Sequence, residues 1–339
     1  MSLLDSPNKR FAVASILLVV SIVLFALNRV YQIPYQKNEG PIYGTTYHLT
    51  YQSKDDLHDT IKQELRRLDK SLSIFNKEST ISKINSGDSI TNDSTFLFIL
   101  NQSQSISELT EGAFDITVAP LVNAWGFGTN QSLNADTAIA IDSILQFVGF
   151  EKLHVSGKKV TKDDQRLRLD LSAIAKGYAC DCVAELLEQK GVENYLVEIG
   201  GEIVAKGNND RGGKWRIGID KPTDGVSQQA IQEIIEGDMA TATSGNYRQY
   251  YYQEGQKRTH TIDPRTGYPT NQHTLSATII ARKCFTADAL ATAAMVLEPQ
   301  KTIEIINSID DIECYIIHTN QENQIMISKS DNFDKYILK

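Results

Sequence analysis

The feature that most constrains this chain is an apolar run close to its N-terminus. Lys9 and Arg10 precede a hydrophobic stretch, Phe11 to Leu27, which only Ser15 and Ser21 interrupt. At the helical rise of about 1.5 Å per residue the run is about 26 Å long, slightly shorter than the hydrocarbon core of a bilayer. Flanking residues drawn inward would close that gap. The run therefore predicts a signal sequence or a membrane anchor ahead of a separate folded body.

The charges around the run predict its orientation. Lys9 and Arg10 lie before it and only Arg29 lies close behind it, which favours a cytoplasmic N-terminus and an exported body. No cysteine directly follows the run, so lipoprotein processing is not available. Cleavage after Ala26 stays open, but Leu24 suits a cleavage site poorly, and we favour an uncleaved anchor.

The composition of the whole chain is that of a folded protein. Of 339 residues, 41% are hydrophobic and 22% are charged, which argues against long disordered segments. The net charge is -8 and no basic block occurs, so no nucleic-acid partner is expected. We predict that residues 1–37 form a cytoplasmic stub, the anchor and the start of a linker. Residues 38–339 then form a folded domain on the periplasmic side of the inner membrane.

Hydrophobic periodicity predicts both helices and strands in this domain. Ile61, Leu65, Leu68, Leu72 and Phe75 recur at steps of four and three, which puts them on one face of a helix packed on a sheet. The predicted class is α+β, because helices and strands alternate without a regular repeat. The other predicted elements are a polar linker over about 38–43, helices over 95–109, 175–190 and 287–297, and strands over 45–51, 195–199, 203–206, 215–219 and 278–281.

Four polar motifs lie at the ends of these elements, where functional residues are common. The first runs from Gly112 to Thr117 and continues with Trp125 to Gly128, and in it Asp115 follows Ala113 and Phe114. If Phe114 points inward, Asp115 is a partly buried carboxylate. The alternative is that Asp115 caps a turn.

The second motif runs from Leu169 to Tyr178 and is predicted to pass from a strand into the start of a helix. Free backbone amides at a helix start and the ammonium of Lys176 could face a phosphate group. The alternatives are that Lys176 is solvated and that Asp170 caps the helix.

The third motif joins residues 242–247 to residues 259–267. His260 lies in a polar stretch just ahead of the Asp263-Pro264 turn and could act as a base. The alternative is an ordinary surface histidine in a hairpin.

The fourth motif, Asp288 to Thr292, lies in the alanine-rich helix. Residues four apart share a helical face, so the Asp288 carboxylate and the Thr292 hydroxyl can converge on a cation that prefers oxygen ligands. The alternative is that Asp288 caps the helix start and Thr292 packs in the core.

Taken together and in this order, the motifs resemble those of the FAD:protein FMN transferase family, also called the ApbE family of flavin transferases. The resemblance starts at Tyr43-Gly44-Thr45-Thr46 and covers about 43–300. It implies a mixed-sheet, T-fold-like α+β body that binds FAD in a cleft. It also implies an enzyme that uses Mg²⁺ to move the FMN half of FAD to a threonine hydroxyl of an acceptor protein, with release of AMP.

The resemblance also assigns roles to residues. It implies that Mg²⁺ is held by the carbonyl of Ala173 and by the side chains of Asp288 and Thr292. The chain departs from the family at Tyr43, where Met is common, and at Phe75, where Tyr is common, so a hydroxyl contact is absent at Phe75. The usual lipobox is also absent. The implied contacts with FAD are Tyr43, Phe75, Ala113, Phe114, Asp115, Asp170, Lys176 and His260.

The chemistry of this reaction suits the assigned residues. Attack of a threonine hydroxyl on a pyrophosphate needs neutralisation of the phosphoryl charge, stabilisation of departing AMP and removal of the hydroxyl proton. Mg²⁺ on Asp288 and Thr292 would supply the first two. We take His260 as the proton acceptor or as the residue that positions the pyrophosphate, and Asp115 as the second catalytic candidate.

The family also implies a partner, because no FMN-accepting domain is visible in this chain. The implied acceptor is a flavin-carrying subunit of a sodium-pumping NADH:quinone reductase or of a related electron-transport complex. Two alternatives to transfer stay open. One is a Mg²⁺-dependent FAD pyrophosphatase that yields FMN and AMP, and the other is a non-catalytic flavin-binding module.

The predicted topology can be tested in whole cells. Protease added outside spheroplasts should digest the catalytic domain, because the charges around the apolar run favour its export. Before protease treatment the protein should sediment with the membranes. Recovery of the full-length protein from the cytosol would contradict the prediction.

Overall fold

The computed structural model describes residues 33–128, 137–220, 230–246, 250–253, 256–270 and 273–338, together with Phe11, Ser15 and residues 17–19. Most of the predicted anchor, Phe11 to Leu27, lies outside the described residues. Within them, no helix has the length and apolar character that a membrane crossing needs.

The body combines helices and strands, which confirms the predicted α+β class. The helices are α1 (His58–Leu72), α2 (Thr80–Ser86), α3 (Ser94–Leu109), α4 (Ala119–Ala124), α5 (Thr137–Leu145), α6 (Ala175–Gln189), α7 (Cys284–Val296) and α8 (Pro299–Asn307). The strands are β1 (Tyr35–Ile42), β2 (Thr45–Gln52), β3 (Leu153–Ser156), β4 (Lys159–Lys162), β5 (Tyr195–Ile199), β6 (Glu202–Lys206), β7 (Trp215–Asp220), β8 (Ala230–Glu236), β9 (Met239–Gly245), β10 (Tyr250–Gln253), β11 (Gln256–Thr259), β12 (Thr274–Ala281), β13 (Glu313–Thr319) and β14 (Ile325–Lys329).

Eight of these strands form one large sheet in the order β1-β2-β5-β6-β9-β12-β13-β14. All of its described pairings are antiparallel, so the prediction of a mixed sheet is wrong. The reason is visible in the connections. Neighbouring strands such as β5 and β6 are joined by a two-residue turn, Gly200-Gly201, and a turn of that length reverses the chain direction.

The polar stretch over 38–43 is not a linker. It belongs to β1 and its turn, and β1 pairs with β2 along its full length. Tyr43 and Gly44 form the turn with φ of +48° and +75°, the two positive values that a type I′ hairpin needs. Because β1 is an edge strand, its polar residues face solvent and it accommodates Pro41.

Both faces of the sheet are covered. Helices α6 and α7 pack against each other on one face, with α6 over β5 and β6 and α7 over β9 and β12. The β7–β8 hairpin covers the other face. Neighbouring residues show the division: Ile279 of β12 packs in the core under the helices, and Ile280 packs with Ile217 and Ile234 of the hairpin. The two central helices therefore pack directly on the sheet.

Helix α1 is shorter than the periodicity predicted. It ends at Leu72, because Ser73 is extended, with φ of -82° and ψ of 120°. Phe75 therefore lies outside the helix and is 74% exposed, so its assignment to the buried helical face is wrong.

A buried carboxylate of α6 caps the start of α7. Asp181 Oδ1 accepts a hydrogen bond from the amide of Cys284 (3.0 Å), and Oδ2 accepts one from the amide of Phe285 (2.9 Å). Amides at a helix start have no partner within their own helix. Burial raises the pKa of Asp181 to about 6, although these hydrogen bonds act to lower it. Asp181 thus ties α7 to α6.

Removal of this cap should destabilise the protein. We expect Asp181→Ala to lower the free energy of unfolding by about 1–3 kcal/mol, because two buried amides lose their acceptor. The matched control is Glu185→Ala, one turn further along α6. Its exposed ion pair with Lys283 (2.8 Å) should contribute at most about 1 kcal/mol. Urea unfolding of both variants gives the comparison, and equal losses would contradict the capping role.

Candidate active site

Side-chain contacts fix the segment ahead of α6. Asn85 Nδ2 donates to the carbonyl of Leu169 (2.9 Å), and Asn85 Oδ1 accepts from the Leu169 amide (2.7 Å). The Asp170 carboxylate accepts hydrogen bonds from the amide and the hydroxyl of Ser172. Asp170 therefore caps this local turn, not α6. Residues 169–171 lie outside the named strands, so the strand predicted here is wrong, and the Asn85 clamp takes the place of strand pairing.

The ammonium of Lys176, in the first turn of α6, lies between two buried carboxylates. Lys176 Nζ is 3.2 Å from Glu202 Oε1 and 3.7 Å from Asp288 Oδ1. It also donates to the carbonyl of Ser172 (3.4 Å). The Lys176 side chain is 28% exposed, against 6% for Glu202 and 3% for Asp288. Lys176 is thus the least buried member of the charge cluster that it forms with Glu202 and Asp288.

Burial and charge act against each other in this charge cluster. Burial acts to lower the pKa of Lys176, but the charges of Asp288 and Glu202 outweigh it and raise that pKa, so the side chain stays protonated. Burial raises the pKa of Glu202 and that of Asp288 above their ordinary values, although the Lys176 ammonium acts to lower both. Two buried carboxylates therefore share one cation, the Lys176 ammonium, away from bulk water.

Helices α6 and α7 approach closely at Gly177. The Gly177 amide donates to Asp288 Oδ2 (3.0 Å). A methyl group at this position would lie 2.4 Å from the carbonyl oxygen of Cys284 and 2.8 Å from Asp288 Cβ. Asp288 therefore binds the start of α6, and the alternative that it caps its own helix is wrong. The sequence predicts free amides at this helix start that could face a phosphate. The Gly177 amide is not one of them, because it is bonded to Asp288.

Asp115 is buried and uses both carboxylate oxygens. Oδ1 accepts from the amide of Thr117 (2.7 Å) and Oδ2 accepts from the amide of Phe150 (2.7 Å). Burial raises the pKa of Asp115 to about 6, against the effect of these hydrogen bonds. Both interpretations of the motif hold, because the carboxylate is buried and also caps a turn.

His260 lies directly after β11 and is partly buried beside Phe127, with ring centroids 6.4 Å apart. The loop that carries it is held by Asn246 at the end of β9. Asn246 Oδ1 accepts from the hydroxyl of Thr261 (2.9 Å), and its Nδ2 donates to the hydroxyl of Thr270 (3.5 Å). These hydrogen bonds attach the loop of His260 to the end of β9.

Hydrogen bonds join the four motifs in space. The first motif meets the second through the Asp170 amide, which donates to the carbonyl of Ile116 (2.7 Å). The first also meets the third, because Trp125 Nε1 donates to the carbonyl of Gly267 (2.7 Å). The second meets the fourth through the charge cluster. Segments far apart in sequence thus build one region.

The hairpin turn at Tyr43 adjoins the same region. Tyr43 Oη donates to the carbonyl of Leu65 (2.7 Å), which leaves its ring packed against α1. Gly200, with φ of +64°, lies between Thr45, which is two residues after Tyr43, and Lys176 of the charge cluster. A methyl group on Gly200 would lie 2.8 Å from Thr45 Cγ2 and 3.3 Å from Lys176 Cδ.

The remaining predicted residues differ in exposure. Phe75 offers an exposed ring, whereas Ala113 and Phe114 are 1% and 2% exposed, so any contact of these two with a ligand would involve their backbone. Ala173 and Thr292 are partly buried, and Thr292 lies one turn after Asp288 on α7.

Glu202 was missed from the sequence. It follows Gly200-Gly201 at the start of β6, and a glutamate at a strand start is ordinarily a solvated residue. The usable signal was the Gly-Gly turn itself, since such turns bring a strand end close to a neighbouring element.

The donors around Asp288 fit an oxygen-preferring cation. Glu202 Oε2 is buried and has no hydrogen-bond partner among the described residues. Two carboxyl groups lie beside the Lys176 ammonium, and Mg²⁺ prefers such oxygen ligands. No group of three or more His, Cys, Asp or Glu side chains in the described part of the chain could hold a metal ion. The predicted ligands of Mg²⁺ contain only one such side chain, the carboxylate of Asp288. The other two are the hydroxyl of Thr292 and the carbonyl of Ala173.

Comparison with known proteins gives consistent matches. A model of the ApbE family matches residues 43–316. The FAD:protein FMN transferase of Vibrio cholerae is 40% identical over 317 residues, which span 88% of this chain and 89% of that protein. That of Haemophilus influenzae is 34% identical over 313 residues, 87% of this chain and 90% of its own. The solved structure of the flavin transferase ApbE from Vibrio cholerae matches with a TM-score of 0.80 at 35% identity, over 89% of this chain and 100% of that chain.

These matches extend over nearly the whole body and include every motif that builds the site. The protein is therefore an enzyme that transfers flavin, with FAD as its flavin donor. The chain belongs to the ApbE family of FAD:protein FMN transferases.

The close approach of α6 and α7 can be tested at Gly177. We expect Gly177→Ala to lower stability by about 1–3 kcal/mol and to reduce transfer, because a new methyl group must push Asp288 and the α7 backbone away. Gly213→Ala is the control, since its methyl group would lie 3.8 Å from the nearest atom, in ordinary contact. Thermal unfolding and transfer rates of both variants are compared. A Gly177→Ala protein with parent stability and activity would contradict the account.

Proposed function

We propose that this enzyme, with Mg²⁺ bound, transfers the FMN half of FAD to a threonine hydroxyl of another protein and releases AMP. The threonine oxygen forms a bond to the FMN phosphorus. The bond from that phosphorus to the oxygen of the AMP half breaks, and AMP leaves with the electron pair. The threonine proton passes to a base, and the product is a phosphoester-linked flavoprotein.

The observation that carries this proposal is the charge cluster at the start of α6. Its lysine side chain is partly exposed, and the ammonium lies 3.2 Å and 3.7 Å from two carboxylates that are almost fully buried. A pyrophosphate carries a high density of negative charge. Lys176 offers it a compact positive charge, and the two carboxylates fix the position of that charge. The Asp288 carboxylate adds a donor that a divalent cation needs beside that anion.

The chain's own groups define the metal position. Asp288, Thr292 and the carbonyl of Ala173 would hold Mg²⁺, which when bound neutralises phosphoryl charge as a Lewis acid. The Gly177 amide occupies Asp288 Oδ2 and so fixes the carboxylate, with Oδ1 on the side of Lys176. Lys176 orients the pyrophosphate and stabilises the charge on departing AMP.

His260 is the better candidate for the base. Both oxygens of Asp115 already accept hydrogen bonds from backbone amides. These bonds hold the first motif against residue 150. His260 lies in a loop that hydrogen bonds attach to the same region, and histidine is the side chain that most often serves as a general base. We assign it the removal of the threonine proton, or else the positioning of the pyrophosphate.

We also propose that the reaction takes place on the periplasmic side, with residues 11–27 as a membrane anchor. The apolar run and the charges ahead of it support this assignment. The acceptor is then an exported or membrane-bound flavoprotein subunit, of the kind found in sodium-pumping NADH:quinone reductases or related electron-transport complexes.

One assay separates transfer from its alternatives. The purified protein is incubated with FAD, Mg²⁺ and a candidate acceptor, beside an acceptor whose target threonine is replaced by alanine. We expect covalent flavin on the acceptor alone and AMP in equal amount. Free FMN with AMP, equally with both acceptors, would identify a pyrophosphatase, and unchanged bound FAD would identify a binding module.

The role of His260 predicts a kinetic change without loss of folding. A positioned general base contributes about 10² to 10⁴ in rate, so His260→Ala should lose transfer by that order. If His260 is the base, the loss should shrink as pH rises, because hydroxide begins to replace it. If it positions the pyrophosphate, FAD affinity should fall and excess FAD should restore the rate. Full activity of the variant at low FAD would exclude both roles.

A further inference from the structure

Glu202 is a buried charged residue to which the mechanism above gives no role. Its side chain is 6% exposed, and Oε1 lies 3.2 Å from Lys176 Nζ. Oε2 has no hydrogen-bond partner in the described ranges of the chain. A buried carboxylate with one unpartnered oxygen lowers stability, so the question is what the enzyme gains from it.

The position of Glu202 is fixed by the backbone around it. The residue begins β6 directly after the Gly200-Gly201 turn. Cys180 Sγ, one turn after Lys176 on α6, donates to the carbonyl of Glu202 (3.2 Å). The same two elements therefore hold both partners of the ion pair, and their separation is set by the packing of α6 on the sheet.

The two distances from Lys176 Nζ are unequal. The ammonium is within hydrogen-bond range of Glu202 at 3.2 Å but not of Asp288 at 3.7 Å. Without the negative charge of Glu202, Asp288 would be the remaining carboxylate beside the ammonium. Lys176 would then move onto Asp288 Oδ1 and compete with any cation there.

We propose that Glu202 is a positioning residue, which holds the Lys176 ammonium beside Asp288 and not on it. Asp288 Oδ1 then stays available to a divalent cation, and Lys176 stays directed at the pyrophosphate. This inference rests on the proposed function, because the metal role of Asp288 belongs to that proposal.

The chain contains a matched control for the charge change. Glu313 of β13 is also a buried carboxylate, 5% exposed, and lies 3.4 Å from the ammonium of Lys335. It belongs to the same large sheet, but its other partners are Ser330 and the Asn332 amide, away from the charge cluster. Glu313→Gln thus removes a buried, paired charge without touching Lys176.

The experiment measures Mg²⁺ affinity, not turnover. The full-length protein is titrated with Mg²⁺, with and without FAD, and the Mg²⁺ midpoint is taken from the shift in melting temperature. Loss of a residue that orients a metal ligand typically weakens metal binding about 10-fold to 100-fold, so Glu202→Gln should raise the midpoint by that factor. Glu313→Gln should leave it within about twofold, even if both variants lose similar stability.

A second pair of variants tests whether Glu202 acts through Lys176. In a Lys176→Met background the additional Glu202→Gln change should no longer raise the midpoint, because no ammonium remains to move onto Asp288. An effect of equal size in that background would mean that Glu202 acts on the cation directly, and would overturn the proposal. An unchanged midpoint for Glu202→Gln alone would overturn it as well.

Two further outcomes are distinguishable. If Glu202→Gln does not fold, Glu202→Asp keeps the charge but shortens its reach, and should raise the midpoint several-fold; a parent-like midpoint for that variant overturns the proposal. If the parent protein itself shows no response to Mg²⁺, the metal part of the proposed function fails, and this inference fails with it.

Discussion

The close approach of α6 and α7 is the contact on which the rest of the site depends. Glycine at position 177 lets the carbonyl oxygen of Cys284 lie 2.4 Å from where a Cβ would be. That approach places Asp288 against the Gly177 amide and beside Lys176. Because α7 is rich in buried alanines, whose side chains are small, it packs closely against α6 and the sheet. Helix packing, and not a loop, therefore fixes the charged groups.

The charge cluster is costly for the fold. Two carboxylates and one ammonium leave water together, and the attraction between such charges commonly does no more than offset the loss of hydration. Burial raises the pKa of Glu202 and of Asp288, which shows the direction of this cost. The surrounding core and the Asp181 cap on α7 oppose it. Perturbed pKa values of this kind cluster at functional sites.

Much of the local structure could be predicted from the sequence, and the reasons differ by element. The amphipathic pattern of α1 and the apolar alternation of β5 identify these elements, because each has one face toward the core. Strand β1 could not be recognised, since an edge strand with polar residues on its exposed face resembles a linker. The antiparallel pairing of the strands was also missed, because it depends on which strands become neighbours in the sheet. Hydrophobic periodicity indicates only which side of each strand faces the core.

The candidate site shows the same limit. Asp115, Lys176, His260 and Asp288 stand in motifs whose order along the chain resembles one family, and hydrogen bonds bring those motifs together. Glu202 lies in a matching segment, residues 198–207, but the sequence assigns it no role, because its significance comes from a partner on another element. The buried state of a carboxylate is a property of tertiary packing, which local sequence does not record.

The central claim is that the charge cluster at the start of α6 receives the pyrophosphate of FAD. The most direct test is a crystal structure of the protein with FAD and Mg²⁺ bound. The account predicts a pyrophosphate oxygen within hydrogen-bond distance of Lys176 Nζ, about 3 Å, and the metal ion on Asp288. A pyrophosphate bound elsewhere, with Lys176 still paired only to Glu202 and Asp288, would contradict it.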